Sequence, residues 1–216
     1  MKIRVVKNVL ASSEQAARAN RCRMDDAGVV MINVLSAPGS GKTCLLEKTI
    51  PALAPDIRCA VLVGDLQTTR DAERLHAAGA PVTQINTGKG CHLSPAEVAA
   101  GLDSLDLAGL RCLFVENVGN MVCPAAFDLG EHLRVVLLST PEGDDKVAKY
   151  PTLFQPADVI LLTKVDLMDV LDYNRAQVRA DLAHINTRAP LIELSARTGA
   201  GMDRWLAWLR ERLGRR

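Results

Sequence analysis

The stretch Leu35–Leu46 reads L-S-A-P-G-S-G-K-T-C-L-L, follows an apolar run and opens onto a helical pattern. Strand, tight loop and helix in that order form the context in which a glycine-rich loop can wrap a phosphate. Consecutive backbone groups from about Pro38 through Gly39, Ser40, Gly41 and Lys42 to Thr43 would surround the anion. The positive end of the new helix points at the same spot. Lys42 would neutralise the outer phosphates and the Thr43 hydroxyl would ligate Mg²⁺. Against G-x-x-x-x-G-K-[ST], Ser36 stands where glycine is usual, while Gly41, Lys42 and Thr43 fit. The plainer alternative is a strand-to-helix turn with Lys42 solvated; the flanking strand and helix signals favour phosphate.

A loop of this kind needs parallel strands, and the rest of the chain supplies them. Apolar runs predict strands at Val29–Leu35, Cys59–Val63, Val82–Ile85, Cys112–Val115, Val135–Leu138, Val159–Leu162 and Leu191–Leu194. Helical patterns alternate with them: Ser12 to about Asp26 with Ser12 and Gln15 spaced as a capping box, the loop helix to about Ala54 before Pro55, and Thr69 to Ala78. Further helices are expected from Ser94–Pro95, over Asp169–His184, and at the end with Met202, Trp205, Leu206, Leu209 and Leu213 on one face. Wholly apolar strands separated by helices imply an α/β fold, a mostly parallel sheet covered on both faces in three layers. With 216 residues, 48% of them hydrophobic, one core suffices. The expected division is a helical extension over 1–28, packed on a nucleotide-binding domain over 29–216.

A net charge of +1 with 3% aromatic residues makes no electrostatic case for nucleic acid or an anionic membrane. No apolar run approaches the ~18 residues of a spanning helix. The opening M-K-I-R-V-V-K-N-V-L is broken by charges too often for a signal peptide. A cytoplasmic protein is therefore expected, whose six cysteines are buried small residues, metal ligands or reactive thiols rather than disulfides.

Loops leaving the carboxyl ends of parallel strands gather on one sheet edge, where ligands bind, and the chemically suggestive motifs all follow strands. E-N-V-G-N, Glu116 to Asn120, supplies an acidic residue that would hold Mg²⁺ through water and a glycine, Gly119, whose N–H would meet the terminal phosphate. A cap for the next loop is the bland alternative for Glu116. T-K-V-D, Thr163 to Asp166, offers the acceptor-only Asp166 carboxylate to the ring N–H and amine of guanine, which favours GTP over ATP by ~10⁴. Lys164 would lie along the base. S-A-R, Ser195, Ala196 and Arg197, would supply a backbone N–H to the guanine oxygen. Thr163 stands where asparagine is usual, a change expected to weaken loop support more than base choice. A helix start at Asp166 is the alternative.

A second chemistry lies in G-C-H, Gly90 to His92, and N-M-V-C-P, Asn120 to Pro124. Adjacent strand residues face opposite ways, so Cys91 and His92 can converge on one ion only in a turn, which Gly88 and Gly90 allow. Cys123 emerges on the same edge. Two thiolates and an imidazole suit Zn²⁺ or Ni²⁺. Quiet burial is the default for Cys44, Cys59 and Cys112, and Cys22 is incidental. His76, His132 and His184 have no partner pattern and are expected to be surface or ordinary helix residues.

The ordered set S-A-P-G-S-G-K-T, G-D-L-Q-T-T-R-D-A, T-G-K-G-C-H-L, E-N-V-G-N-M-V-C-P-A, E-G-D-D-K and K-Y-P resembles the hydrogenase nickel incorporation GTPases, the HypB family. The related urease accessory GTPases are similar in the nucleotide motifs but carry C-P-H where this chain has Gly90-Cys91-His92-Leu93. The resemblance implies a P-loop GTPase of the SIMIBI class that helps deliver nickel to the nickel–iron hydrogenase. It implies nucleotide contacts from Pro38 to Cys44, with Lys42, Asp65 and Glu116 as the catalytic set and Thr43, Asp65 and Glu116 around Mg²⁺. Cys91, His92 and Cys123 form its metal site. It further implies a hydrogenase maturation partner and the hydrogenase large subunit as protein partners. Many relatives add an N-terminal C-x-x-C-G-C site or a histidine-rich tract; the sequence has neither, which leaves the switch-linked site as the expected one.

Because Cys123 lies a few residues beyond Glu116 and Gly119, nucleotide state and metal affinity are expected to be coupled, reciprocally, by ~1–3 kcal/mol. Three ligands leave a tetrahedral ion one short, so a GTP-dependent homodimer closing the site is expected. Unassisted hydrolysis should be slow, because Asn120 follows Gly119 and there is no obvious glutamine or arginine to orient water or neutralise charge. The alternatives are a nonenzymatic nickel or zinc carrier that uses nucleotide only as a switch, a urease-type nickel GTPase, and a small-metabolite P-loop kinase.

Overall fold

Residues 9–65, 67–88 and 90–214 are described by a computed structural model of the chain. Their elements run α1 (Val9–Asp26), β1 (Val30–Leu35), α2 (Lys42–Leu53), β2 (Cys59–Asp65), α3 (Arg70–Ala77), β3 (Val82–Asn86), α4 (Pro95–Asp103), β4 (Cys112–Glu116), β5 (Leu133–Ser139), α5 (Lys146–Lys149), α6 (Pro151–Phe154), β6 (Val159–Thr163), α7 (Arg175–Ile185), β7 (Leu191–Glu193) and α8 (Met202–Gly214). The seven strands form one sheet in the order β3-β2-β4-β1-β5-β6-β7, and every described pairing is parallel. This is the expected α/β architecture of a P-loop NTPase.

Alternation within each strand makes the layers. Val30, Ile32 and Val34 of β1 face α2, α3 and α8 in one core with Leu45, Leu75 and Trp205. Met31, one residue out of step, faces the opposite layer with Met24 of α1 and Val98 of α4. The same layer continues over β5 and β6, where α5, α6 and α7 contribute Val147, Phe154 and Val178. Burial on both faces explains why the strands are apolar throughout.

Four local expectations change. The first helix is described over Val9–Asp26, so Ser12 lies within it rather than at its start; a reciprocal capping box is formed by Ser94 and Glu97 of α4. The helix expected from Asp169 starts at Arg175, where the Asn174 side chain accepts from the Gln177 N–H at 3.0 Å. Residues 168–172 form turns instead, with Asp172 at φ 48°. The terminal helix also buries Trp208. Finally, His132 is neither surface nor helical: its side chain is 1% exposed, Nδ1 accepts from the Met31 N–H at 2.9 Å and Nε2 meets Asp25 at 3.1 Å.

The portion of the expected helical extension that is described packs closely. Asn20 donates to the carbonyls of Pro95 (2.8 Å) and Leu129 (3.0 Å), and a Cβ on Gly130 would lie 2.3 Å from the Ala17 oxygen. Residues 1–8 of that extension, Leu66 of the G-D-L-Q motif and Lys89 of the glycine-rich turn lie outside the described residues. No helix among the described residues is long and apolar enough to cross a membrane.

Candidate functional site

The loop after β1 turns at Gly39 (φ 76°) and Gly41 (φ 96°), left-handed conformations that glycine adopts without a Cβ penalty. Gly41 caps α2 and its carbonyl accepts from Leu45 at 2.9 Å. Lys42 is not solvated: it is 8% exposed and donates to the Ser36 hydroxyl at 3.1 Å. The serine that replaces glycine therefore gives the lysine a resting partner. Across the loop, the Thr163 hydroxyl donates to the Ser40 carbonyl at 2.8 Å, so threonine in place of asparagine still braces the loop, contrary to expectation. Ser40 Oγ donates to Glu142 at 2.6 Å, and Lys164, held at φ 57°, donates to the Gly39 carbonyl at 2.7 Å.

Two cavities meet at Gly41, Cys44 and Lys164. One, of about 520 Å³, is walled by Pro38, Lys42, Thr43, Asp65, Glu116 and Gly119, joined by Asp71 and Arg74 of α3. The other, of about 500 Å³, is walled by Thr163, Asp166, Ser195, Ala196 and Arg197. Asp166 sits in a 3₁₀ turn rather than at a helix start, 3.9 Å from Arg197. Two adjoining chambers of this size have room for a nucleoside phosphate.

Glu116 is no loop cap. It is 4% exposed; Oε1 accepts from the Thr43 hydroxyl at 2.7 Å, and Oε2 is buried without a hydrogen-bond partner. A buried carboxylate oxygen left unpaired is costly, and a divalent cation between Thr43 and Glu116 would satisfy it. Burial pushes the Glu116 pKa up to about 7, against the opposing pull of Lys42 and the Thr43 hydrogen bond. Since the folded state holds this proton more tightly than the unfolded chain, the group's stabilisation is full below about pH 4.5 and is lost as pH rises toward 7. The loss is on the order of 3 kcal/mol. Denaturant titrations of the nucleotide- and Mg²⁺-free protein and of Glu116→Gln should thus diverge over this window, the parent falling relative to the variant. A constant difference would contradict it.

Cys91, His92 and Cys123 offer ligand atoms that all lie within 4.8 Å of one another. The Cys91 sulfur is 3.5 Å from His92 Nδ1, and Gly88 makes the required turn at φ 64°. The hydrogen-bonding Cys123 thiol, then partial desolvation, push the Cys91 thiol up, so protons must leave when a metal enters. Cys59 and Cys112 are buried in neighbouring strands, Cys22 is exposed, and Cys44 is partly buried beside the cavities.

The loop from Glu116 to Phe127 touches both centres. A Cβ on Gly119 would lie 2.7 Å from Pro38 Cα, so the two loop backbones are in direct contact. The Asn120 N–H donates to the Ser36 carbonyl at 2.8 Å, and its side chain donates to the Cys91 carbonyl at 3.3 Å. Asn117 Oδ1 accepts from the N–H of Leu93 at 3.1 Å, and its amide donates to Asn33 at 3.3 Å. Asn33 continues to Glu131, which takes Arg134 at 2.6 Å, and Arg134 donates to the Phe127 carbonyl at 2.8 Å. Phe127 in turn stacks on His92, ring centroids 4.1 Å apart. The sequence did not single out this buried chain. Its one visible signal is Asn33, polar in the middle of the apolar run V-M-I-N-V-L.

The family profile described as CobW/HypB/UreG, nucleotide-binding domain, matches residues 30–193. The chain is 45% identical over 214 residues to the hydrogenase maturation factor HypB of Azotobacter vinelandii, covering 99% of this chain and 71% of that protein. It is 44% identical to the hydrogenase/urease maturation factor HypB of Helicobacter hepaticus, covering 88% and 79%. Among solved structures, HypB of Helicobacter pylori in complex with nickel superposes with a TM-score of 0.90 at 37% identity, covering 94% and 96% of the two chains.

Proposed function

The chain belongs to the CobW/HypB/UreG family, within its HypB members, and on that premise we propose that it is a cytoplasmic GTP-hydrolysing metallochaperone delivering nickel during nickel–iron hydrogenase maturation. Its protein partners are then another maturation factor and the hydrogenase large subunit. The observation that carries the reading is Asn120, whose backbone bonds to the phosphate loop while its side chain bonds to the Cys91 carbonyl. Asp166 selects guanine, and Ala196 meets the guanine oxygen through its N–H. The loop N–H groups take the phosphates, and Lys42 exchanges the Ser36 hydroxyl for the β and γ oxygens. Thr43, Asp65 and Glu116 would hold Mg²⁺, which offsets phosphate charge. When the Gly119 N–H follows the γ-phosphate, Asn120 and Cys123 move with it and the angle between the sulfur ligands changes. The cargo is Ni²⁺ or Zn²⁺, since the ligand set suits both.

Three protein ligands leave the fourth tetrahedral position to another donor. Val122, 59% exposed beside Cys123, supports a second copy of the chain docking there in the GTP state. Lys42→Ala should reduce single-turnover GTP hydrolysis by at least ~10²-fold and abolish GTP-induced dimerisation in sedimentation. Hydrolysis and dimerisation equal to the parent's would overturn the reading. Nickel transfer by the variant at the parental rate would favour a nonenzymatic carrier.

A further inference from the structure

The cavity around Lys42 contains a cation that neither the phosphate loop nor the Gly119 loop supplies. Arg74 projects from α3, the helix that follows the Asp65 segment, and lines the same cavity as Lys42, Glu116 and Gly119. Its fork is engaged by two carboxylates. Nε and one terminal nitrogen donate to Glu47 at 2.9 and 2.6 Å, and the other terminal nitrogen donates to Asp71 at 3.2 Å. Glu47 stands four residues beyond Thr43 on α2, one turn along the same helix face. Asp71 opens α3 and lines the cavity itself.

We propose that Arg74 is a catalytic arginine acting within the chain, latched by Glu47 and Asp71 until a γ-phosphate competes for it. The proposal rests on the GTPase reading above. Arg74 is 44% exposed, so water and salt screen even its two-pronged pair with Glu47. A terminal phosphate in the same cavity carries more charge than either carboxylate and accepts both prongs of the fork in one plane. In hydrolysis, water oxygen bonds to the γ-phosphorus as the bond from that phosphorus to the bridging oxygen breaks. The electron pair leaves with GDP, and the water's proton goes to the released phosphate. Charge grows on the bridging and γ oxygens during this step, and a guanidinium there stabilises it more than it stabilises bound GTP. Lysine cannot reproduce the two-pronged contact.

Single-turnover hydrolysis and binding of GDP with aluminium fluoride, a mimic of the transferring phosphoryl, separate this role from a structural one. Arg74→Ala is expected to slow hydrolysis about 100-fold and weaken the aluminium fluoride complex comparably, while GDP affinity stays within about threefold. Arg74→Lys should recover less than a tenth of the lost rate. Glu47→Gln, which loosens the latch and leaves Arg74 intact, should speed hydrolysis severalfold. A parent that hydrolyses GTP with an unchanged rate in Arg74→Ala overturns the proposal alone. A parent that binds GTP and never turns it over overturns both the proposal and the GTPase reading.

Discussion

Exchanging Asp166 for asparagine should reverse the base preference, moving the ratio of guanosine to xanthosine triphosphate affinities by about 10⁴. Ionised aspartate only accepts, so it suits the two adjacent donors of guanine, the ring N–H and the amine. Asparagine presents one acceptor and one donor, which matches xanthine, where a carbonyl replaces the amine. The substitution should cost little stability. The Asp166–Arg197 pair is 3.9 Å long and the arginine is 83% exposed, a geometry typically contributing ~0–1 kcal/mol. Fluorescent-nucleotide competition reads the ratio. Unaltered preference would remove Asp166 from base recognition and leave the second cavity without its assigned ligand.

Gly119→Ala should damage nucleotide binding and metal coupling together. The added Cβ would meet Pro38 Cα at 2.7 Å and Pro38 N at 2.9 Å, and backbone cannot swing aside as a side-chain tip can. The switch loop and phosphate loop must then separate, at a typical overpacking cost of ~1–3 kcal/mol. Affinity for a GTP analogue should fall accordingly, by roughly 5–150-fold. Metal should still bind, because Cys91, His92 and Cys123 are untouched, yet its affinity should no longer respond to nucleotide. A variant with intact coupling would mean that the message travels by another route, of which the chain Asn117–Asn33–Glu131–Arg134 is the obvious one.

Much of this was legible in the sequence because the determining interactions are local. Gly39, Gly41 and Lys42 declare the phosphate loop within a few residues, and strands apolar at nearly every position declare a sheet covered on both faces. The convergence of Cys91 and His92 with Cys123 followed from parallel strands delivering their loops to one edge. What stayed hidden depends on pairs far apart in the chain. Nothing in T-K-V-D says that Thr163 will brace Ser40, 123 residues away. Arg74 reaches the cavity only because α3 packs against α2, and no motif near Gly119 announces it. Helix starts were misjudged where short polar side chains compete with the backbone, as at Asn174, whose cap sets the beginning of α7. His132 reads as a surface or ordinary helix residue because its partners, the Met31 N–H and Asp25, are about a hundred residues upstream.

The most direct test of the account is a titration of Ni²⁺, and separately Zn²⁺, into the protein saturated with Mg²⁺–GDP and then with a nonhydrolysable Mg²⁺–GTP analogue, alongside Gly119→Ala. The account predicts that the metal dissociation constant differs between the two nucleotide states by roughly 5–150-fold in the parent, with the reciprocal change in nucleotide affinity, and by less than about twofold in the variant. Equal metal affinity in the two nucleotide states of the parent would contradict it.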